Sequence, residues 1–147
     1  MPDVRRLKPE DREQWQVLWK GYQDFYKTNL DAGTDELWQR LLSEPDNGPI
    51  GLVFEENGNL LGLVHYLFHG TTWSAKQRIY LNDLYTLPAA RGKGVGRALI
   101  EAVYEEGRKR DCDQVYWMTQ DFNETGRKLY DKVADVTPFI KYMKGMS

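Results

Sequence analysis

The stretch Leu84-Tyr85-Thr86-Leu87-Pro88-Ala89-Ala90-Arg91-Gly92-Lys93-Gly94-Val95-Gly96-Arg97-Ala98-Leu99-Ile100 decides the reading of this 147-residue chain. An apolar strand stops at Pro88. An arginine follows, then three glycines spaced two apart, then a run with helical periodicity. Alternate glycines let successive backbone N–H groups turn toward one point with no side chain in the way. The helix that starts there adds unpaired amides and the positive end of its dipole. Together they form a cradle for anionic phosphate oxygens. Two better-known glycine motifs do not fit. A P-loop needs Ser or Thr after its Lys, and Lys93 is followed by Gly94. A dinucleotide fingerprint needs a closing Gly or Ala, and that position falls on Arg97 or Leu99.

The order strand, Arg91-Gly92-Lys93-Gly94-Val95-Gly96, helix resembles the pyrophosphate motif of the GCN5-related N-acetyltransferases, the GNAT family, written [Q/R]-x-x-G-x-[G/A]. Arg91, Gly94 and Gly96 fill its fixed positions. Further on, Val115-Tyr116-Trp117-Met118-Thr119-Gln120-Asp121-Phe122-Asn123 and Leu129-Tyr130-Asp131-Lys132 look like the branch of fungal histone, polyamine and D-amino-acid acetyltransferases. The Gly-Phe usual after the tyrosine helix is missing; Val133-Ala134-Asp135 stands there.

Working outward, apolar spacing predicts a strand at Val4–Leu7 and a helix from Lys8-Pro9-Glu10-Asp11 to about Tyr26, carrying Trp15, Trp19, Tyr22 and Tyr26. A loop over Asn29–Gly33 leads to a second helix capped by Thr34, with Trp38 and Leu41 inward. A turn-rich break covers Glu44–Pro49. Strands at Gly51–Glu55 and Leu60–Phe68 flank the hairpin signal Glu56-Asn57-Gly58-Asn59. A strand at Ile79–Thr86 precedes a helix from Gly94 to about Arg110, a strand at Gln114–Thr119, a helix from Asn123 to about Val133, and a closing strand at Phe139–Lys144. The order β-αα-βββ-α-β-α-β is that of the GNAT fold: α+β, three layers αβα, with a mixed, mostly antiparallel sheet and splayed central strands. Residues 1–147 read as a single domain of that kind.

The resemblance implies an enzyme that moves an acetyl group from acetyl-coenzyme A to a primary amine in a ternary complex. The cosubstrate's phosphates would meet Arg91, Gly92, Lys93, Gly94, Val95, Gly96 and Arg97. Its pantetheine arm would run along Leu84, Tyr85 and Thr86 like an added strand and reach Asn123. The backbone N–H of Leu84 would face the thioester oxyanion, and Tyr130 would protonate the leaving thiolate.

Asp83 is the candidate base or amine anchor on the central strand. Asn82 stands where related polyamine enzymes carry Glu, so a direct carboxylate at that position is lacking. Tyr26, Asp83 and Asp31 are the candidate acceptor-binding residues, since the first two helices wall the acceptor site in this family. Asp24, Asp31, Asp35 and Glu36 favour a small cationic amine or a lysine side chain as acceptor, and a solvated acidic surface explains them equally.

His65 and His69 lack a third partner at metal spacing, so no metal is expected, and they read as surface or groove residues. Cys112 sits between Asp111 and Asp113 and reads as inert. As the sole cysteine it allows no disulfide within the chain and points to a reducing, cytoplasmic setting. A net charge of −2 speaks against nucleic acid. The longest apolar run is too short for a membrane span, and the first residues lack a signal-peptide core. The lone closing strand has an open edge, which suggests a homodimer. The rival reading is a domain that binds acetyl-coenzyme A as a sensor or interaction module without turnover.

Overall fold

A computed structural model describes residues 2–43 and 48–146. The predicted break over Glu44–Pro49 lies largely outside them. One five-stranded sheet forms the middle layer, and its order follows the chain: β1 (Asp3–Arg6), β2 (Ile50–Glu56), β3 (Asn59–Thr71), β4 (Ser74–Thr86) and β5 (Val115–Tyr116). The first four strands pair antiparallel and β5 joins β4 in parallel. The predicted hairpin forms, with Asn57 and Gly58 both at positive φ, as a tight connection requires.

Helices α1 (Arg12–Phe25) and α2 (Thr34–Leu41) cover one face; α3 (Val95–Lys109) and α4 (Glu124–Val133) cover the other. This is the expected three-layer arrangement. Trp15, Leu18, Trp19 and Trp38 bury the first two helices against Val53, Leu63 and Tyr85. On the opposite face Val95, Leu99, Ile100 and Val103 of α3 meet Leu52, Val64, Ile79 and Leu81. The helical spacing of those apolar residues decides which stripe of α3 faces the sheet. Arg5 ties the first layer together, donating to both Asp11 and Glu55; these bonds hold the Asp11 carboxyl below its ordinary value.

Two irregularities position the site. Between β3 and β4 the register jumps: His65 pairs with Asp83, but Tyr66 pairs with Leu81. Asn82 is the extra residue of a β-bulge. A bulge swaps the faces on which later side chains emerge. Ile79 and Leu81 therefore point to the α3 layer, whereas Tyr85 packs under α1, and Asp83 shares the α1 side with His65. The second irregularity is the end of pairing between β4 and β5. Only Ile79 with Val115 and Tyr80 with Tyr116 are in register. Beyond them, the chain after β5 leaves Leu81–Thr86 and the sheet splays open.

Four predicted elements differ. β5 is two residues long rather than Gln114–Thr119, because the splay ends its ladder. β3 and β4 run several residues further than predicted, to a tip at Thr72 and Trp73, because polar residues such as Lys76 and Gln77 are accommodated on a solvated hairpin. Phe139–Lys144 forms no strand and pairs with none of the sheet's strands, and Phe139 touches the tip through Trp73, ring centroids 6.4 Å apart.

Candidate active site

The splay leaves a cleft of about 340 Å³ lined by residues of β4 (Tyr80, Leu81, Asn82, Leu84), the strand-end segment Trp117–Gln120, Tyr22 and Tyr26 of the first layer, Tyr130 of α4, and Lys141. Leu84, Tyr130 and Tyr26, drawn from distant parts of the sequence, thus share one opening. Tyr130 is half-buried with its ring edge-on to Trp117 at 5.4 Å. Burial, with a smaller contribution from Tyr26, pushes its phenol up to about 12. It therefore stays protonated through neutral pH and is available as a proton donor.

At one end of the cleft, β4 runs into a short turn (Pro88–Ala90) and then the glycine segment. Gly92 and Gly94 lie at φ of +80° and +81°, with nothing within 4 Å of where a Cβ would stand. Gly94 is the N-cap of α3, and no side chain caps that helix end. The first-turn amides thus lack a side-chain cap, which suits a bound phosphate. Gly96 is set by close approach instead: a Cβ there would meet Leu129 of α4 at 3.4 Å and Thr86 Oγ1 at 3.8 Å. This contact brings the cradle beside Tyr130.

The remaining candidates are placed as follows. The Arg91 Nε donates to Thr86 O at 3.3 Å and the guanidinium lies over Phe25 and Tyr85, folded along the end of β4. Lys93 is exposed, and Arg97 is exposed with Glu101 4.0 Å away. Val95 and Tyr85 put their side chains into opposite layers of the core. Asn123 caps α4, its Oδ1 accepting from Gly126 N and its Nδ2 donating to Thr119 Oγ1. Asp31 lies in an exposed turn with Lys20 at 3.4 Å, and Asp35 is paired with Arg12 at 2.7 Å; neither lines the cleft. Burial raises the Cys112 thiol, with Asp113 and Asp111 adding to it and Arg110 opposing. Among the described residues, no cluster of three metal-ligating side chains is present.

Asp83 stands directly behind two cleft residues. Asn82 Nδ2 donates to its Oδ1 at 3.2 Å, and Tyr22, whose phenol burial and the Asp83 charge push up, lies against it. Its Oδ2 is 3.0 Å from His65 Nδ1. His65 is the correction to the sequence reading. It is neither surface nor groove but 1% exposed, beneath α1, with Trp15 Nε1 3.1 Å from its Nε2. His69 is separate, bonded through Nε2 to Tyr116 Oη at 2.7 Å. The signal for His65 was present: one imidazole in the apolar run Leu60–Phe68, at the parity of the buried Leu63.

A family model described as the acetyltransferase (GNAT) family matches residues 10–134. The chain belongs to the GNAT family. Members are acyl-coenzyme A-dependent N-acetyltransferases, and this chain is one of them. It is 38% identical over 143 residues to the D-amino-acid N-acetyltransferase HPA3 of Saccharomyces cerevisiae, covering 96% of this chain and 89% of that one. It is 34% identical over 77 residues to a thialysine N-epsilon-acetyltransferase of Mus musculus, covering 52% of this chain and 45% of that one. Among solved structures it resembles the aminoglycoside N-acetyltransferase AAC(6')-Iy in complex with CoA, with a TM-score of 0.82 at 18% identity, over 100% of this chain and 96% of that one. Among the described residues no helix is long and apolar enough to cross a membrane.

Proposed function

We propose that this GNAT domain transfers the acetyl group of acetyl-coenzyme A to a small primary amine by direct attack in a ternary complex. One observation carries the reading: the splay beside β4 opens one cleft onto Leu84 and Tyr130, with Asp83 behind its wall and the glycine cradle at its end.

The roles follow from the chemistry of each group. The cradle amides at Gly94–Arg97 hold phosphate. The Asp83 carboxylate accepts a proton from the acceptor's ammonium through a water, since Tyr22 and Asn82 stand between it and the cleft. The freed nitrogen attacks the thioester carbonyl, and the Leu84 N–H donates to the oxygen that gains charge. The C–S bond breaks and Tyr130 gives its hydroxyl proton to the departing sulfur, while the attacking nitrogen sheds its second proton to water, which restores the phenol. No protein nucleophile is required.

For the acceptor, Tyr22, Tyr26 and Tyr80 with Asp83 behind them suit an ammonium, by ring faces as well as by charge. This supports a small cationic amine or a lysine side chain. Lys141 at the cleft favours a second reading, an amino acid whose carboxylate meets the Lys141 ammonium; the similarity to a D-amino-acid acetyltransferase supports it. Coenzyme A release measured over a panel of polyamines, lysine derivatives, and L- and D-amino acids tests both. A best kcat/KM for a polyamine selects the first and for a free amino acid the second; no turnover with any amine returns the sensor reading.

A second copy of the chain is the proposed partner. The segment after α4 exposes Val136, Phe139, Ile140, Tyr142, Met143 and Met146, each at least 74% accessible. Apolar side chains at this density want cover.

A further inference from the structure

A chain of hydrogen bonds runs from the buried face of α1 through β3 to the site. Trp15 is fully buried, and its Nε1 is 3.1 Å from His65 Nε2; His65 Nδ1 is 3.0 Å from Asp83 Oδ2. An indole N–H can only donate. The Nε2 of His65 must therefore accept, which places the imidazole proton on Nδ1. That N–H has the Asp83 carboxylate as its acceptor. The direction of the whole chain is thus set by the one residue in it that cannot act as an acceptor.

We propose that Trp15 and His65 are positioning residues for Asp83, acting as a directional donor chain that fixes the neutral Nδ1–H imidazole and aims the carboxylate at the acceptor end of the cleft. This rests on the acetyl-transfer reading of the site. Four features separate the arrangement from ordinary core packing. The bulge at Asn82 is what brings Asp83 to the His65 side of the sheet at all. The carboxylate's other oxygen is taken by Asn82 Nδ2, so both oxygens are held. The donor is neutral, so it orients the carboxylate without setting a cation beside an incoming ammonium. Finally, the chain ends next to Tyr22 and Asn82, which line the cleft. Trp19 closes the imidazole's flank, ring centroids 5.2 Å apart, and keeps water from competing for either nitrogen. The role also accounts for Asn82: it takes one Asp83 oxygen, and the carboxylate stands one residue on.

The imidazole tautomer can be read directly by long-range ¹H–¹⁵N correlation on the wild-type protein. The Nδ1–H pattern for His65 is expected; an Nε2–H pattern overturns the proposal before any variant is made. Two substitutions then separate positioning from packing. His65→Asn keeps an N–H donor near the place of Nδ1, and His65→Leu fills the volume without one. A packing role favours Leu in this apolar setting. The donor role predicts the reverse for kcat: His65→Leu about tenfold or more below wild type, as for loss of a hydrogen bond to a charged group, and His65→Asn recovering most of the loss. KM for acetyl-coenzyme A should stay within about twofold in both, since the cradle is untouched. Trp15→Phe should let the Nε2–H tautomer appear in the same spectrum. A folded His65→Leu enzyme with wild-type kcat overturns the role while leaving the acetyltransferase reading intact. A wild type that acetylates no amine, whatever its tautomer, overturns that reading and this role with it.

Discussion

Two residues carry separable predictions. In the proposed mechanism Tyr130 protonates sulfur, and its raised phenol keeps the proton available at working pH. Tyr130→Phe should lower kcat by about 10²-fold with KM for acetyl-coenzyme A little changed; a kcat within about twofold of wild type would make Tyr130 a packing residue against Trp117. Gly94 combines positive φ with open space, so any side chain there is penalised through the backbone and not through a clash. Gly94→Ala should cost about 1–2 kcal/mol and weaken coenzyme A binding by calorimetry. Gly96→Ala, helical and with its nearest neighbour at 3.4 Å, should leave the melting temperature close to wild type. Equal losses in both would remove the backbone argument. The glycines were legible in the sequence because their spacing is itself the signal. For His65 the run and its parity signalled burial, but its role was not legible, because the partners Trp15 and Asp83 come from α1 and β4.

Among the elements, the packing of α3 on the sheet passes through Gly62 of β3. A Cβ there would stand 2.7 Å from Val95 Cγ1 and 3.0 Å from Tyr85 O, and backbone cannot yield as a flexible side chain can. Gly62→Ala is expected to destabilise by about 1–3 kcal/mol in urea unfolding. Because it shifts the start of α3, coenzyme A affinity should fall with it; an unchanged urea midpoint would mean that the helix moves aside freely. The elements from α1 to α4 were readable from period and punctuation. The Asn82 bulge and the early end of β5 were not. Both are decided by what lies across the ladder, and alternation along one strand carries no record of its partner's register.

For the molecule as a whole, pH and self-association follow from the same burial. The phenols of Tyr22, Tyr66 and Tyr130 are raised chiefly by burial. Unfolding would let them ionise near their ordinary value of about 10. Above that pH the unfolded chain binds fewer protons than the folded one, so stability falls as pH rises. Urea midpoints should fall as pH is taken from about 9.5 to 11; a level midpoint across that range contradicts the burial of these side chains. The exposed apolar segment beyond α4 predicts a dimer. Light scattering at micromolar concentration should give twice the chain mass, and removal of Phe139–Ser147 should give a monomer. A monomeric full-length chain would show that the segment is not covered by a second copy.

The family, the layer order, the glycine turn that opens α3 and the place of Tyr130 on α4 were set by the sequence alone, because each rests on local chemistry: glycine φ, helical period, a cap, a short motif. What joins them was decided only in three dimensions. The splay of β4 from the chain after β5 makes the cleft, the bulge at Asn82 turns Asp83 toward α1, and Trp15 gives His65 its tautomer. Each depends on contacts between residues up to 50 positions apart, and such contacts come from the packing of layers rather than from any pattern within one segment.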